Sequence, residues 1–82
     1  MLEKLNVSIA DVRVPAKRAR TLNEDKLKTI AEDMIEQGQT TPIQVRTDGC
    51  CYILVEGLHR LEALRALGET TVEAYIVRAR LH

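Results

Sequence analysis

Tyr52-Ile53-Leu54-Val55-Glu56-Gly57-Leu58-His59-Arg60-Leu61-Glu62-Ala63-Leu64-Arg65-Ala66-Leu67-Gly68 carries an apolar strand into a glycine and out into an amphipathic helix. The helix spans about residues 59–67, with Leu61, Leu64 and Leu67 inward and Gly68 as its cap. A glycine between strand and helix lets the backbone approach a ligand closely. The first N–H groups of the helix have no intrahelical partner, and the macrodipole favours an anion beside them. His59 and Arg60 oppose that dipole as cations, and two in succession are easier to understand with an anion between them and the helix. Arg60 offers a planar fork for phosphate oxygens and His59 a second donor. Gly57, His59 and Arg60 are therefore candidates for holding a phosphate. The plainer reading is a strand–glycine–helix junction with two solvated side chains.

Upstream, Asp48-Gly49 is a turn signal that makes Cys50–Val55 the return strand of a hairpin. Its first strand lies in Thr-Thr-Pro-Ile-Gln-Val-Arg (40–46), with Ile43 and Val45 on one face and Gln44 and Arg46 on the other. Further back, Leu27, Ile30, Ala31, Met34 and Ile35 recur at helical spacing and predict a helix with one buried face, ended by Gly38. Thr21 with Glu24 fits a capping box, Asn23 is a rival cap, and Glu24 and Asp25 suit the first turn. Residues 3–14 alternate loosely and read as a strand or extended segment until Pro15 breaks the pattern. Lys17, Arg18 and Arg20 then fall in a basic loop. Downstream, 71–77 is a last strand in which Val72, Ala74 and Ile76 alternate with Glu73, Tyr75 and Val77, and Arg78 and Arg80 begin a connector. The expected fold is α+β: a small mixed sheet with helices packed on it, one domain over residues 1–82.

Composition narrows the function. The chain has 82 residues, 45% of them hydrophobic, which suits a globular core and not a disordered segment. It has no Trp or Phe, so aromatic platforms for stacking single-stranded bases are not expected. Twelve basic and twelve acidic residues cancel, leaving no bulk field to draw the protein onto nucleic acid. No apolar run spans a membrane and no secretory h-region opens the chain, so the expected location is cytoplasmic. Cys50 and Cys51 point to opposite faces if both lie on the strand; a disulfide between them would be strained, and two cysteines do not complete a zinc site. No metal site is expected. A domain this small often associates, so a homo-oligomer is one option, and the sequence leaves the oligomeric state open.

"VEGLHRLEALRALGE", preceded by "TPIQVR" and "VPAKRARTLNEDKLKTIAEDMIEQGQ", resembles the ParB/sulfiredoxin superfamily, and within it the ParB-like N-terminal domain, over roughly residues 5–77. The resemblance implies binding of a nucleoside triphosphate, CTP as in partition proteins or ATP as in sulfiredoxins, with Gly57, His59 and Arg60 on the phosphates. It adds Lys26 and Thr29 on the helix before the hairpin, and a basic loop containing Arg20 that helps enclose the nucleotide. Arg46, at the end of its strand, is a further candidate for the same pocket. The implied setting is plasmid or chromosome partition, or regulation of a mobile element. DNA would be reached through segments this chain lacks or through the Lys17/Arg18/Arg20 loop.

One departure is decisive for chemistry. Sulfiredoxins carry their reacting cysteine just before His-Arg, where this chain has Leu58, which has no thiolate to offer. Sulfiredoxin activity is therefore not expected. The superfamily also contains free-serine kinases and members described as ParB-like nucleases. The alternative is thus an enzyme, a small-molecule phosphotransferase or a nuclease, using Glu56 with Mg²⁺ as metal ligand or general base. The plain reading of Glu56 is a solvated strand end, and that of Lys26 and Thr29 a solvated helix face.

Overall fold

The computed structural model describes residues 3–39 and 41–78. Strands β1 (Glu3–Ser8), β2 (Val12–Arg13), β3 (Ile43–Asp48), β4 (Cys51–Glu56) and β5 (Thr71–Ile76) form one mixed sheet in the order β1-β5-β3-β4-β2. Helices α1 (Ala16–Ala19), α2 (Glu24–Gln37) and α3 (Leu58–Ala66) complete the fold, which is the expected α+β architecture. Pairing is antiparallel for β1–β5 and β3–β4, and parallel for β5–β3 and β4–β2.

The expected hairpin forms, one residue out of phase. Gly49 turns the chain at φ 63°, and Asp48 pairs with Cys51, so Gly49 and Cys50 make a two-residue turn. Cys50 therefore leaves the strand to which the sequence reading assigned it. Ile43 and Val45 are buried as expected; Thr40 lies outside the described residues. Near the far end of the hairpin the register slips: Val45 faces Leu54 but Gln44 faces Glu56, leaving Val55 as the extra residue of a bulge. In a regular strand Glu56 would share the core-facing side of Leu54. The bulge places it opposite Gln44 instead, and its side chain is exposed.

The segment expected as one strand is divided. β1 and β2 occupy opposite edges of the sheet, joined only by a 3-10 turn at Ile9–Asp11. Five flat strands would put the edges about 19 Å apart, at about 4.8 Å per gap. Ser8 to Val12 reaches about 14 Å at full extension. The sheet must therefore curl until its edges approach, and Ile9 and Val12, both buried, sit where it closes.

Leu58, Leu61, Ala63 and Leu64 of α3 bury against Val7, Ile43, Val45, Leu54, Val72 and Ala74 of the sheet, with Met34 of α2. Ile35 and Leu67, expected inward, are 69% and 37% exposed. At 3.6 residues per turn Ile35 lies about 90° from the centre of the Leu27–Ile30–Ala31–Met34 stripe. Leu67 follows the last helical residue and serves as the C-cap. Helix α2 is capped by Asn23, whose side chain accepts the Lys26 N–H at 2.9 Å. Thr21, the other candidate, instead donates its hydroxyl to the Arg18 carbonyl at 2.7 Å.

Candidate functional site

Gly57 is the N-cap of α3, at φ 106° and ψ 31°. This left-handed conformation is strained for any residue with a side chain. Space forbids one as well: a Cβ here would lie 2.7 Å from Cγ2 of Ile43. Ile43 is buried in β3 and has nowhere to retreat. The cap provides no side-chain hydrogen bond, and no acidic residue stands in the first turn of α3. Leu58, at the first helical position, is only 7% exposed and fixes that turn to the core. The helix accordingly begins one residue earlier than expected.

The start of α3 opens on a cleft of about 320 Å³ lined by Arg18, Thr21, Lys26, Ile30, Glu56, Gly57, Leu58, His59 and Arg60. Of the candidate residues, Lys26, Glu56, Gly57, His59 and Arg60 are brought together there. Thr29, Arg20 and Arg46 are not among the lining residues. Thr29 donates its hydroxyl back to the Asp25 carbonyl at 3.1 Å, Arg20 forms the C-cap of α1, and Arg46 pairs with Ile53 within the hairpin. Across α2 it is Ile30, one turn beyond Lys26, that shares the cleft-facing side.

Arg18 reaches the cleft because the basic segment is not a loop. Pro15 pre-sets the entry to α1, and Ala16, Lys17, Arg18 and Ala19 are good helix formers. The Arg18 and Ala19 N–H groups both donate to the Pro15 carbonyl, at 2.9 and 3.0 Å. The single turn presents Arg18 to Glu56, with a guanidinium nitrogen 3.7 Å from the carboxylate. The sequence signal for Arg18 was its place in the basic cluster; what singled it out from Lys17 and Arg20 was the turn of helix.

His59 makes a contact that its spacing did not indicate. Its Nε2 accepts the Asn23 backbone N–H at 3.0 Å, tying the start of α2 to the start of α3. An acceptor nitrogen is unprotonated, so the proton of the neutral ring sits on Nδ1. Burial, with a smaller contribution from the Lys26 charge, lowers the pKa of His59 below its ordinary 6.5. The ring is thus a neutral donor through Nδ1–H and not a second cation. Arg18, Lys26 and Arg60 remain as the positive charges of the cleft, against Glu56.

A second cleft of about 320 Å³ lies toward the other ends of α2 and α3, and its lining includes Met34, Gln39, Leu64, Glu69 and Glu73 but no cation. Equal volume makes charge the discriminator, and of these two the Gly57 cleft is the one that carries cations. Among the described residues no three His, Cys, Asp or Glu side chains converge to hold a metal ion. Nor is any helix there long and apolar enough to cross a membrane.

The model of the ParB N-terminal domain family matches residues 2–81, and the chain belongs to that family. No curated protein sequence matches it. Sulfiredoxin from Arabidopsis thaliana is similar in structure, with a TM-score of 0.83 at 26% identity over 94% of this chain and 86% of that one. The C-terminally truncated chromosome-partitioning protein ParB from Caulobacter crescentus, complexed with CTP-gamma-S, superposes at a TM-score of 0.82 with 24% identity, over 95% of this chain and 46% of its own. A free serine kinase variant in complex with AMP gives 0.80 at 19% identity, over 93% of this chain and 31% of that one. The chain therefore spans most of the sulfiredoxin but less than half of the partition protein and the kinase.

Proposed function

We propose that this ParB N-terminal domain is a binding module for a nucleoside triphosphate, CTP or ATP, whose phosphates lie against the start of α3. The observation that carries the reading is the uncapped N-terminus at Gly57, facing a cleft that holds Arg18, Lys26 and Arg60. Free N–H groups, the dipole and three cations act on one point, while neutral His59 supplies a directed donor from Nδ1. Relatives of the same fold captured with a CTP analogue, with AMP and with ADP support the ligand class. The proposed setting is a cytoplasmic partition or mobile-element regulatory protein, in which the nucleotide draws Arg18 away from Glu56 and orders α1. Closure of α1 would then alter self-association or DNA binding by the larger assembly.

Glu56 supports a second reading. The bulge at Val55 turns a carboxylate into the cleft beside the proposed phosphate site. Mg²⁺ is commonly held by one carboxylate together with substrate phosphates, and it would neutralise charge on a transferring phosphoryl group. On this reading the protein is a phosphotransferase or a nuclease.

Titration with CTP, ATP, GTP and ADP in the presence of Mg²⁺, following heat of binding and nucleotide turnover together, separates the two. Binding of a triphosphate without turnover supports the module. Turnover that disappears in Glu56→Gln while affinity persists supports the enzyme. Absence of binding by any of the four at millimolar concentration would sink both readings.

A further inference from the structure

At the end of the hairpin remote from the Gly57 cleft, Cys50 and Cys51 bring their sulfurs to 3.4 Å. Cys50 is exposed in the two-residue turn, and Cys51 opens β4, half-buried. Consecutive residues of a regular strand would hold their side chains on opposite faces. The turn removes that constraint by taking Cys50 out of the strand. Both thiols are free, and one shares its proton with the other sulfur. That hydrogen bond, reinforced by burial, pushes the Cys51 pKa up from 9.0, so Cys51 rests as the thiol.

We propose that Cys50 and Cys51 form a bidentate site for a thiophilic ligand that takes two sulfurs on one atom, the class represented by monosubstituted trivalent arsenicals. With bonds to sulfur of about 2.3 Å, as in metal thiolates, a 3.4 Å separation subtends about 95° at the bound atom. Little rearrangement is then needed to close the chelate. An internal disulfide is the less favoured fate of the pair. Adjacent Cα atoms stand about 3.8 Å apart across a trans peptide, below the about 4.4–6.8 Å that disulfides prefer. The ligand count also fits: no third His, Cys, Asp or Glu side chain joins the pair among the described residues, and a monosubstituted arsenical requires none. With phenylarsine oxide, hydrated to the dihydroxy form, both hydroxyls leave as water with the two thiol protons. Two As–S bonds replace two As–O bonds, and arsenic stays trivalent.

The test is phenylarsine oxide with the intact chain, read by intact mass and by retention against glutathione. The expected adduct is one arsenical per chain, consuming both thiols, stable to millimolar glutathione and released by dithiothreitol. Cys50→Ser and Cys51→Ser should each hold the arsenical on the order of 10²–10⁴-fold less tightly, because the second bond is no longer intramolecular. Two arsenicals on one chain, or a single-serine variant that retains the reagent as the parent does, overturns the proposal. Nucleotide affinity should stay unchanged in both variants, which separates this site from the Gly57 cleft.

Discussion

The N-termini of α2 and α3 stand side by side and are finished in opposite ways. Helix α2 satisfies its own start: Asn23 accepts the Lys26 N–H, and Glu24 and Asp25 complement the dipole. Helix α3 begins at a glycine with no side chain to offer and continues with His59 and Arg60. The two ends even share a bond, since the Asn23 N–H donates to His59. The fold thus gives one helix start a side-chain cap and acidic first-turn residues and leaves its neighbour without either, beside three cations. On the proposed function, a phosphate would accept from the free N–H groups of α3 and offset that charge.

The strongest way to break this contrast is Gly57→Ala. The strained φ and the collision with Ile43 should together cost about 2–4 kcal/mol of stability, read as a lower denaturation midpoint. A variant as stable as the parent would mean that the α3 start is not built as described. Next in size is Arg60→Ala, which on the proposed function removes a charged hydrogen bond to phosphate. Nucleotide affinity should fall about ten- to hundredfold, or about 1.5–3 kcal/mol, with the denaturation midpoint nearly unmoved. Unchanged affinity would show that the bare end of α3 is not the binding end. Asn23→Ala sharpens the contrast from the other side. Loss of the α2 cap should cost about 1 kcal/mol of stability and little affinity, because the backbone N–H that meets His59 remains. A collapse of binding would make Asn23 part of the site and not merely a cap.

The smallest expected effect concerns pH. The folded-state pKa of His59 lies below the ordinary 6.5, through burial first and Lys26 second. The unfolded chain therefore binds the proton more readily, and stability rises with pH through this range. The contribution of His59 is fully present above 6.5 and is lost as pH falls toward the folded-state value. Protonation of Nε2 would also turn the acceptor for Asn23 into a donor. Denaturation midpoints between about pH 7 and 5.5, where carboxylates remain ionised, should decline in the parent and decline less in His59→Ala. Equal slopes would exclude the histidine as the cause.

What could be read from the residues alone was local. Gly57, the helical periodicity of α2, the Asp48-Gly49 turn and the alternation of β5 each follow from a few neighbouring side chains, and each is found close to its expected place. What escaped depends on partners distant in sequence. Glu56 faces outward because one residue of β4 is left unpaired opposite β3, a matter of register. His59 is neutral because a backbone N–H from α2 occupies its ring nitrogen. Arg18 joins the cleft, and Lys17 and Arg20 do not, because a single turn of helix aims it there. The split of residues 3–14 between two edges needed the whole sheet. Its only local trace is the closeness of Ile9 and Val12, too apolar for an exposed bend.

That split has a bearing on how the chain acquires its structure. Glu3 pairs with Ile76 and Ser8 with Thr71, so β1 finds its place only when β5, more than 60 residues later, is available. The hairpin and α3 can form from near neighbours, but the sheet edge that holds β1 must wait for β5. Ordering by such remote contacts is slow compared with helix or hairpin formation. During synthesis, β1 would emerge before β5 and stay unpaired with it until β5 follows. Arg18, carried on the same segment just after β2, would reach the cleft late, so the proposed anion site would be complete only late in the folding of this domain.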